Sequence, residues 1–336
     1  MNTKRMICAM LLGALAWSGA AAAEETKLIF TTINPPFSDI SKQVYEPWAE
    51  RVNQAGKDVV SIEVRHGTTL VNSNNFYERV LADVVQVTFG SPSYISGTFP
   101  LTEVLSLPFL AENSETGSVA YWRMYKAGVF DAEYAEVTPM YVLDFPQVRL
   151  HMTKPLASLD SLRGSRIITN SKIMAQNIDR LGGAPLSLAI FETYDALQRK
   201  TADGVTFPWS AFQAFKLGEV TAYHVDTQLG GGPGWVIMAK KRYQSLPAEV
   251  RKVLDEASGE AQTRRYGSFF DQLAGRIAQG IADSKDHTIV KLSKAQEDAW
   301  KSRIAPVTDE WIQKTPGGQQ VIDRFKAELA KAKAGS

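Results

Sequence analysis

The chain has 336 residues, 44% of them hydrophobic and 22% charged, a balance that excludes disordered, collagen-like and low-complexity classes. Lysine and arginine total 37 against 36 acids, so no charge excess points to a nucleic-acid partner. At roughly 150 residues per domain, the length predicts two domains.

Residues 1–23 form a secretory signal pattern: Lys4 and Arg5, an apolar run over 6–17, and an alanine tract that ends at Ala23. The run is too short for a bilayer span of about 20 residues. Cleavage after Ala23 would export the chain and, by removing Lys4 and Arg5, take the formal charge from +1 to −1. The only cysteine, Cys8, leaves with the signal, and no lipoprotein-like Leu-x-x-Cys stands at the cleavage point. Disulfides and cysteine-based chemistry are thereby excluded.

Residues 27–33 (KLIFTTI) read as a strand stopped by Pro35 and Pro36, which cannot donate to a ladder. Val44, Trp48 and Val52 predict a helix ending at Gly56. A strand over 59–64, a helix over 76–82 and a short strand over 84–89 follow. This βαβα rhythm implies a largely parallel sheet covered by helices. A helix is expected over 119–134, strands over 139–143 and 149–153, and a short helix over 159–164. A second βα series comprises a strand over 166–169, a helix over 171–181, a helix over 191–199 and a strand over 205–209. The glycine run 230–234 reads as a flexible joint, because the apolar strand over 235–238 follows it and not the helix a phosphate cradle needs. Beyond Pro247 the spacing predicts helices to about residue 282, over 294–304 and over 318–333. Two α/β units with a returning chain describe two lobes and a cleft, a usual place for a small ligand.

Catalytic motifs are absent: no Gly-x-Ser-x-Gly, Walker loop, Gly-x-Gly-x-x-Gly or His-Glu-x-x-His. The four histidines, His66, His151, His224 and His287, lack zinc-ligand spacing, and no cofactor or metal is expected.

Several ordered blocks carry a resemblance: GTTL at 67–70, VLADVVQV at 80–87, FGSP at 89–92 and VLSLPFL at 104–110. RLHMTKP at 149–155, SLDSLRG at 158–164, ETYDALQ at 192–198 and ADG at 202–204 continue the series. Together they resemble the extracytoplasmic solute-binding proteins of TRAP transporters, the family first known for C4-dicarboxylate uptake. The resemblance implies an α/β, two-lobed, type II-like Venus flytrap fold with a long C-terminal scaffold helix. Lobe I would comprise 24–147 and about 233–275, and lobe II 148–232 and about 276–336. It also implies periplasmic capture of a small organic solute and delivery to small and large integral membrane subunits, with no enzymatic activity. Nothing resembles an interface helix, so a monomer is expected.

One family pattern is broken. The arginine usual in the strand after Leu-x-Gly is here Ile168, and the asparagine frequent before the proline after Asp-Gly is Phe207. Arg166 lies two residues before Ile168 on the same strand face, so it could replace the clamp or simply be solvated. Arg149 matches a substrate-facing arginine of many relatives, and its planar fork suits a carboxylate; an interlobe salt bridge is its other reading. Phe37, Tyr94, Phe207, Trp209 and Trp235 stand at family pocket positions, with Ile190 and Phe191 on a turn nearby. Ser91 and Thr169 would offer hydroxyls. The expectation is a small dry chamber with one guanidinium at its floor and ring carbons for walls, holding an aromatic or other monocarboxylate. The alternatives are a neutral or cationic solute such as an amino alcohol held by the rings, a sensor role, and a secreted hydrolase.

Overall fold

The computed structural model of the chain describes residues 24–95, 97–156, 162–188 and 190–335. The signal pattern and the first half of the short helix expected over 159–164 lie outside them. The chain opens with β1 (Thr26–Thr32), α1 (Glu46–Ala55), β2 (Val60–His66), α2 (Phe76–Leu81), β3 (Val87–Gly90), α3 (Ser114–Lys126) and β4 (Val137–Asp144). It continues through β5 (Arg149–Met152), β6 (Arg166–Thr169), α4 (Lys172–Arg180), β7 (Ala184–Ser187), α5 (Thr193–Gln198), β8 (Gly204–Phe207) and β9 (Tyr223–Asp226). The last part comprises β10 (Pro233–Ala239), α6 (Lys240–Ser245), α7 (Ala248–Ala257), α8 (Gly259–Ala282), β11 (Thr288–Lys291), α9 (Lys294–Lys314) and α10 (Gly318–Lys333).

These strands make two sheets, ordered β2-β1-β3-β10-β4 and β11-β9-β5-β8-β6-β7. Within the first, β1 runs parallel to β2 and β3, and β10 runs antiparallel to β3 and β4. Within the second, β6, β7 and β8 are parallel and β5 is antiparallel to β8 and β9. The two-lobed α/β architecture follows from this pair of sheets and their helices. No helix of the described residues is long and apolar enough to cross a membrane.

Local chemistry sets most boundaries. Helix α3 begins earlier than its periodicity implies, because the Asn113 side chain accepts from Thr116 N at 2.9 Å and caps it. Gly128, at φ 78°, follows its end, and the predicted residues to 134 are turns. Helix α9 runs past the expected stop at 304 despite the internal Pro306, because Trp300, Ile304, Val307 and Trp311 continue one buried stripe. Strands β7, β9 and β11 escaped the sequence pattern; each has only four residues, and β7 and β11 are the two edges of their sheet.

Two segments cross between the sheets, 144–149 and 229–233, and they are zipped together. Phe145 N donates to Gly232 O at 2.7 Å, Val148 N to Gly230 O at 2.8 Å, and Leu229 N to Val148 O at 3.2 Å. The glycine run is therefore a close-packed strand partner, in correction of the flexible joint expected for it. A Cβ at Gly231 would stand 2.4 Å from Asp144 Oδ1, and one at Gly230 only 2.4 Å from Ser106 O. Asp144 is fully buried, and burial pushes its carboxyl well up, with the Gly232 N–H as its backbone donor.

Helix α8 is the third bridge. Its first half packs on the first sheet: Thr263 Oγ1 accepts from Val142 N, and Asp271 accepts from Ser114 N and Glu115 N at the start of α3, each at 2.8 Å. Its second half packs Ala274, Ala278 and Ile281 against the core of the second sheet, and Ile277 touches both cores. The chain then returns: α9 packs on α4, whereas α10 lies along α3. The tail placed in lobe II by the sequence reading is thus shared between the two halves.

At φ 117°, Gly230 sits where a side chain is strained as well as obstructed. Gly230→Ala is expected to cost at least about 2 kcal/mol in urea unfolding. Gly232, whose nearest neighbour to a new Cβ is Ser106 Oγ at 3.9 Å, is expected to tolerate alanine with a smaller loss. Equal losses at the two positions would contradict this account of the crossing.

Candidate functional site

Sheet topology puts the carboxyl ends of both sheets at one seam. In the first sheet, β1, β3 and β4 end at 32, 90 and 144, beside the start of β10. In the second, β6 and β8 end at Thr169 and Phe207, and antiparallel pairing sets Arg149, the first residue of β5, opposite Phe207. Leu150 pairs with Val225 and His151 with His224, so the register sets Arg149 beside Asp226. The crossing segment 144–149 joins the two edges directly.

Arg149 is held from two sides. Its Nε donates to Asp226 Oδ1 at 2.9 Å, and its Nη1 to Gln147 O at 3.0 Å. Three of the five guanidinium N–H groups remain, and Nη2 has no hydrogen-bond partner among the described residues. The pair lies within the second sheet, so it is not the interlobe salt bridge that the sequence left open. Asp226 contributes one oxygen only; Oδ2 is without a partner among the described residues, on a side chain 42% exposed.

Arg166 differs. It stands at the start of β6, the end away from the seam, and grips Asp203 with Nε at 3.1 Å and Nη2 at 3.3 Å, adding Lys200 O at 2.8 Å. Its two-pronged edge is closed by Asp203, and it does not stand in for the arginine missing at Ile168. Ile168 itself is buried among Leu197, Val205 and Phe207.

The ring positions divide. Phe37 is 74% exposed and Tyr94 37%, and both follow strands that end at the seam; Phe191 on the second half is also exposed. Trp235 is wholly buried in the first half, against Phe99 at 4.9 Å and Tyr134 at 5.0 Å, so it serves as core where a pocket wall was expected. Phe207 stacks on Phe215 at 5.7 Å, and Trp209 packs on His151 and Phe212; both are buried in the core of the second sheet. Ser91 donates to Pro233 O at 2.6 Å and caps the short turn after β3, so its hydroxyl is engaged; Thr169 is buried at its strand end.

Two recesses, of about 430 Å³ beside Trp122, Tyr125 and Tyr243 and about 420 Å³ beside Glu50 and Lys57, lie away from the seam. Neither is lined by Arg149, and at the seam Phe37 and Tyr94 keep exposed ring surface.

Beneath Arg149, three of the four histidines form a row that the sequence spacing did not reveal. His151 Nε2 meets Phe207 O at 2.9 Å, His151 Nδ1 meets His224 Nδ1 at 3.0 Å, and His224 Nε2 meets His287 Nδ1 at 3.1 Å. A carbonyl oxygen only accepts, so the network assigns the proton of His151 to Nε2. His151 Nδ1 then accepts from His224 Nδ1–H, and His224 Nε2 accepts from His287 Nδ1–H. Burial drives His151 well below the ordinary imidazole range and lowers His224 to about 4. Among the described residues no cluster of three or more His, Cys, Asp or Glu is arranged to hold a metal. Asp226 and this row escaped the sequence reading because both depend on the β5–β9 register.

A family model, bacterial extracellular solute-binding protein family 7, matches residues 30–315. The C4-dicarboxylate-binding periplasmic protein DctP of Rhodobacter capsulatus is 26% identical over 98% of this chain and 100% of its own length. A TRAP solute-binding protein of Rhodoferax ferrireducens, solved with copurified benzoate, superposes with a TM-score of 0.85 at 24% identity, covering 93% of this chain and 100% of that one. A marine-metagenome TRAP solute-binding protein, solved with 3-hydroxybenzoate, gives 0.86 at 22% identity over 92% and 99%. At these identities the structural likeness shows the fold.

The histidine row makes stability depend on pH. In the unfolded chain imidazoles take up protons near pH 6.5, whereas folded His224 resists until about pH 4. Between those values the unfolded chain binds more protons, so stability falls as pH drops from about 6.5 toward 4, by on the order of 3 kcal/mol for this group, and is level above. Urea midpoints measured from pH 7.5 to 4.5 are expected to fall less steeply in His224→Gln than in the wild type. Parallel curves would contradict the assignment.

Proposed function

Because the chain belongs to the bacterial extracellular solute-binding proteins of family 7, a family of binding proteins and not of enzymes, we propose that it captures a small monocarboxylate in the periplasm for a TRAP-type permease. The observation that carries this reading is Arg149: a guanidinium at the seam, tethered by Asp226 and the hinge carbonyl of Gln147, with three N–H groups still to give. A carboxylate takes such a group through charge-assisted hydrogen bonds. The benzoate found with the Rhodoferax protein supports an aromatic acid as the occupant.

Lobe closure would supply what the open edge lacks. Phe37 and Tyr94 carry exposed ring surface to the seam from the first half, and burying it over the body of the ligand would favour the closed form. The division proposed is lobe I over 24–147 and about 233–275 and lobe II over 148–232 and about 276–336, with α10 packing back on lobe I. An aromatic cage for an amine has less support, because Phe207, Trp209 and Trp235 are occupied in the cores.

Isothermal titration tests the reading. Benzoate is expected to bind, Arg149→Ala to weaken it at least tenfold, and Arg166→Ala, which alters an arginine already matched to Asp203, to leave it within about twofold. Unchanged affinity in Arg149→Ala would overturn the clamp.

A further inference from the structure

Arg149 and Asp226 place a cation and an anion side by side at the same strand edge, each only partly used. The arginine spends Nε and one Nη1 proton, and the aspartate spends Oδ1. The remaining edge therefore offers donors and, on the aspartate that binds the same guanidinium, an acceptor: Asp226 Oδ2, unpartnered among the described residues on an exposed side chain. Arg166 and Asp203 show the contrast within the same sheet, for there both prongs meet both oxygens and neither carboxylate oxygen is left over.

We propose that Asp226 is a specificity residue, and that the site takes monocarboxylates carrying a hydrogen-bond donor, hydroxyl or ammonium, on the carbon next to the carboxylate. This rests on Arg149 as the carboxylate anchor. The ligand carboxylate meets the free guanidinium N–H groups, while the adjacent O–H or N–H donates to Asp226 Oδ2. Adjacent donor and carboxylate in the ligand match adjacent acceptor and guanidinium in the protein.

The charges point the same way. Asp226 balances Arg149, and the second clamp arginine is replaced by the buried Ile168. A neutral pair favours a zwitterion or a monoanion with a donor, and opposes a dicarboxylate, whose second charge would approach Asp226. Of the other ionisable groups on this sheet face, Lys291 stands opposite Asp226 in the β9–β11 pairing without an ion pair to it among the described residues, and His224 is engaged in the histidine row.

The test is a series that changes only the α-substituent: phenylacetate (hydrogen), mandelate (hydroxyl) and phenylglycine (ammonium), with benzoate as the plain acid and phenylmalonate as the dianion. Affinities are measured by titration for the wild-type protein, Asp226→Asn and Asp226→Glu. The wild type is expected to bind mandelate and phenylglycine about tenfold or more tighter than phenylacetate, since hydrogen bonds to a charged group are the strong ones. Phenylmalonate is expected to bind weakest. Asp226→Asn is expected to weaken phenylglycine at least tenfold more than it weakens phenylacetate or benzoate, and Asp226→Glu to keep the order of the series. Unfolding midpoints of the variants check that the exposed position leaves folding intact.

If the wild type binds benzoate but treats the three phenyl acids alike, the Asp226 assignment fails and the acid reading stands. The assignment fails likewise if Asp226→Asn weakens every acid equally, for Asp226 would then only position Arg149. If no acid binds the wild type at all, both readings fall together.

Discussion

The short ribbon formed by residues 144–149 and 229–233 is the constraint on which the arrangement of the site depends. Three backbone hydrogen bonds zip the two crossings, and Gly230 N also donates to the Gln147 side chain at 3.2 Å. Because β4 leaves the first sheet at its carboxyl end and β5 enters the second at the matching end, the ribbon fixes both strand edges on one seam. Arg149 is the first residue of β5, at the ribbon's end, and is hydrogen-bonded to the carbonyl of Gln147 within it. The anchor of the proposed ligand is thereby directly continuous with the ribbon.

Helix α8 complements the ribbon. The ribbon is narrow and close-packed; the helix sends its side chains into both cores, with Asp271 fastening it to the start of α3 and Ile277 touching both halves.

Much of this was legible in the sequence, and the remainder was hidden for a definite reason. Periodicity and caps disclose local structure, so the strand at Arg166–Thr169 and the helix at Gly318–Lys333 read correctly from their residues alone. The ordered family blocks identified the fold. Which way a buried ring points, by contrast, depends on what stands opposite it. Trp235 and Trp209 occur at suitable chain positions for a pocket, yet Phe99, Tyr134, His151 and Phe212 surround them, and most of these are distant in sequence. Asp226 was invisible for the same reason: it becomes the neighbour of Arg149 only when β9 pairs with β5 in one particular register. A slip of one residue would turn the carboxylate to the opposite face.

The histidine row has an electrical consequence beyond its effect on stability. Each neutral imidazole is a small dipole, negative at the accepting nitrogen and positive at the N–H. The Phe207 carbonyl orders the protons of His151 and His224 in one direction, so their two dipoles lie head to tail, with the negative end toward His287 and the positive end directed toward the close of β8. Behind the Arg149 edge the second sheet thus holds a fixed pair of uncharged dipoles, His151 and His224, whose positive end is turned toward the close of β8.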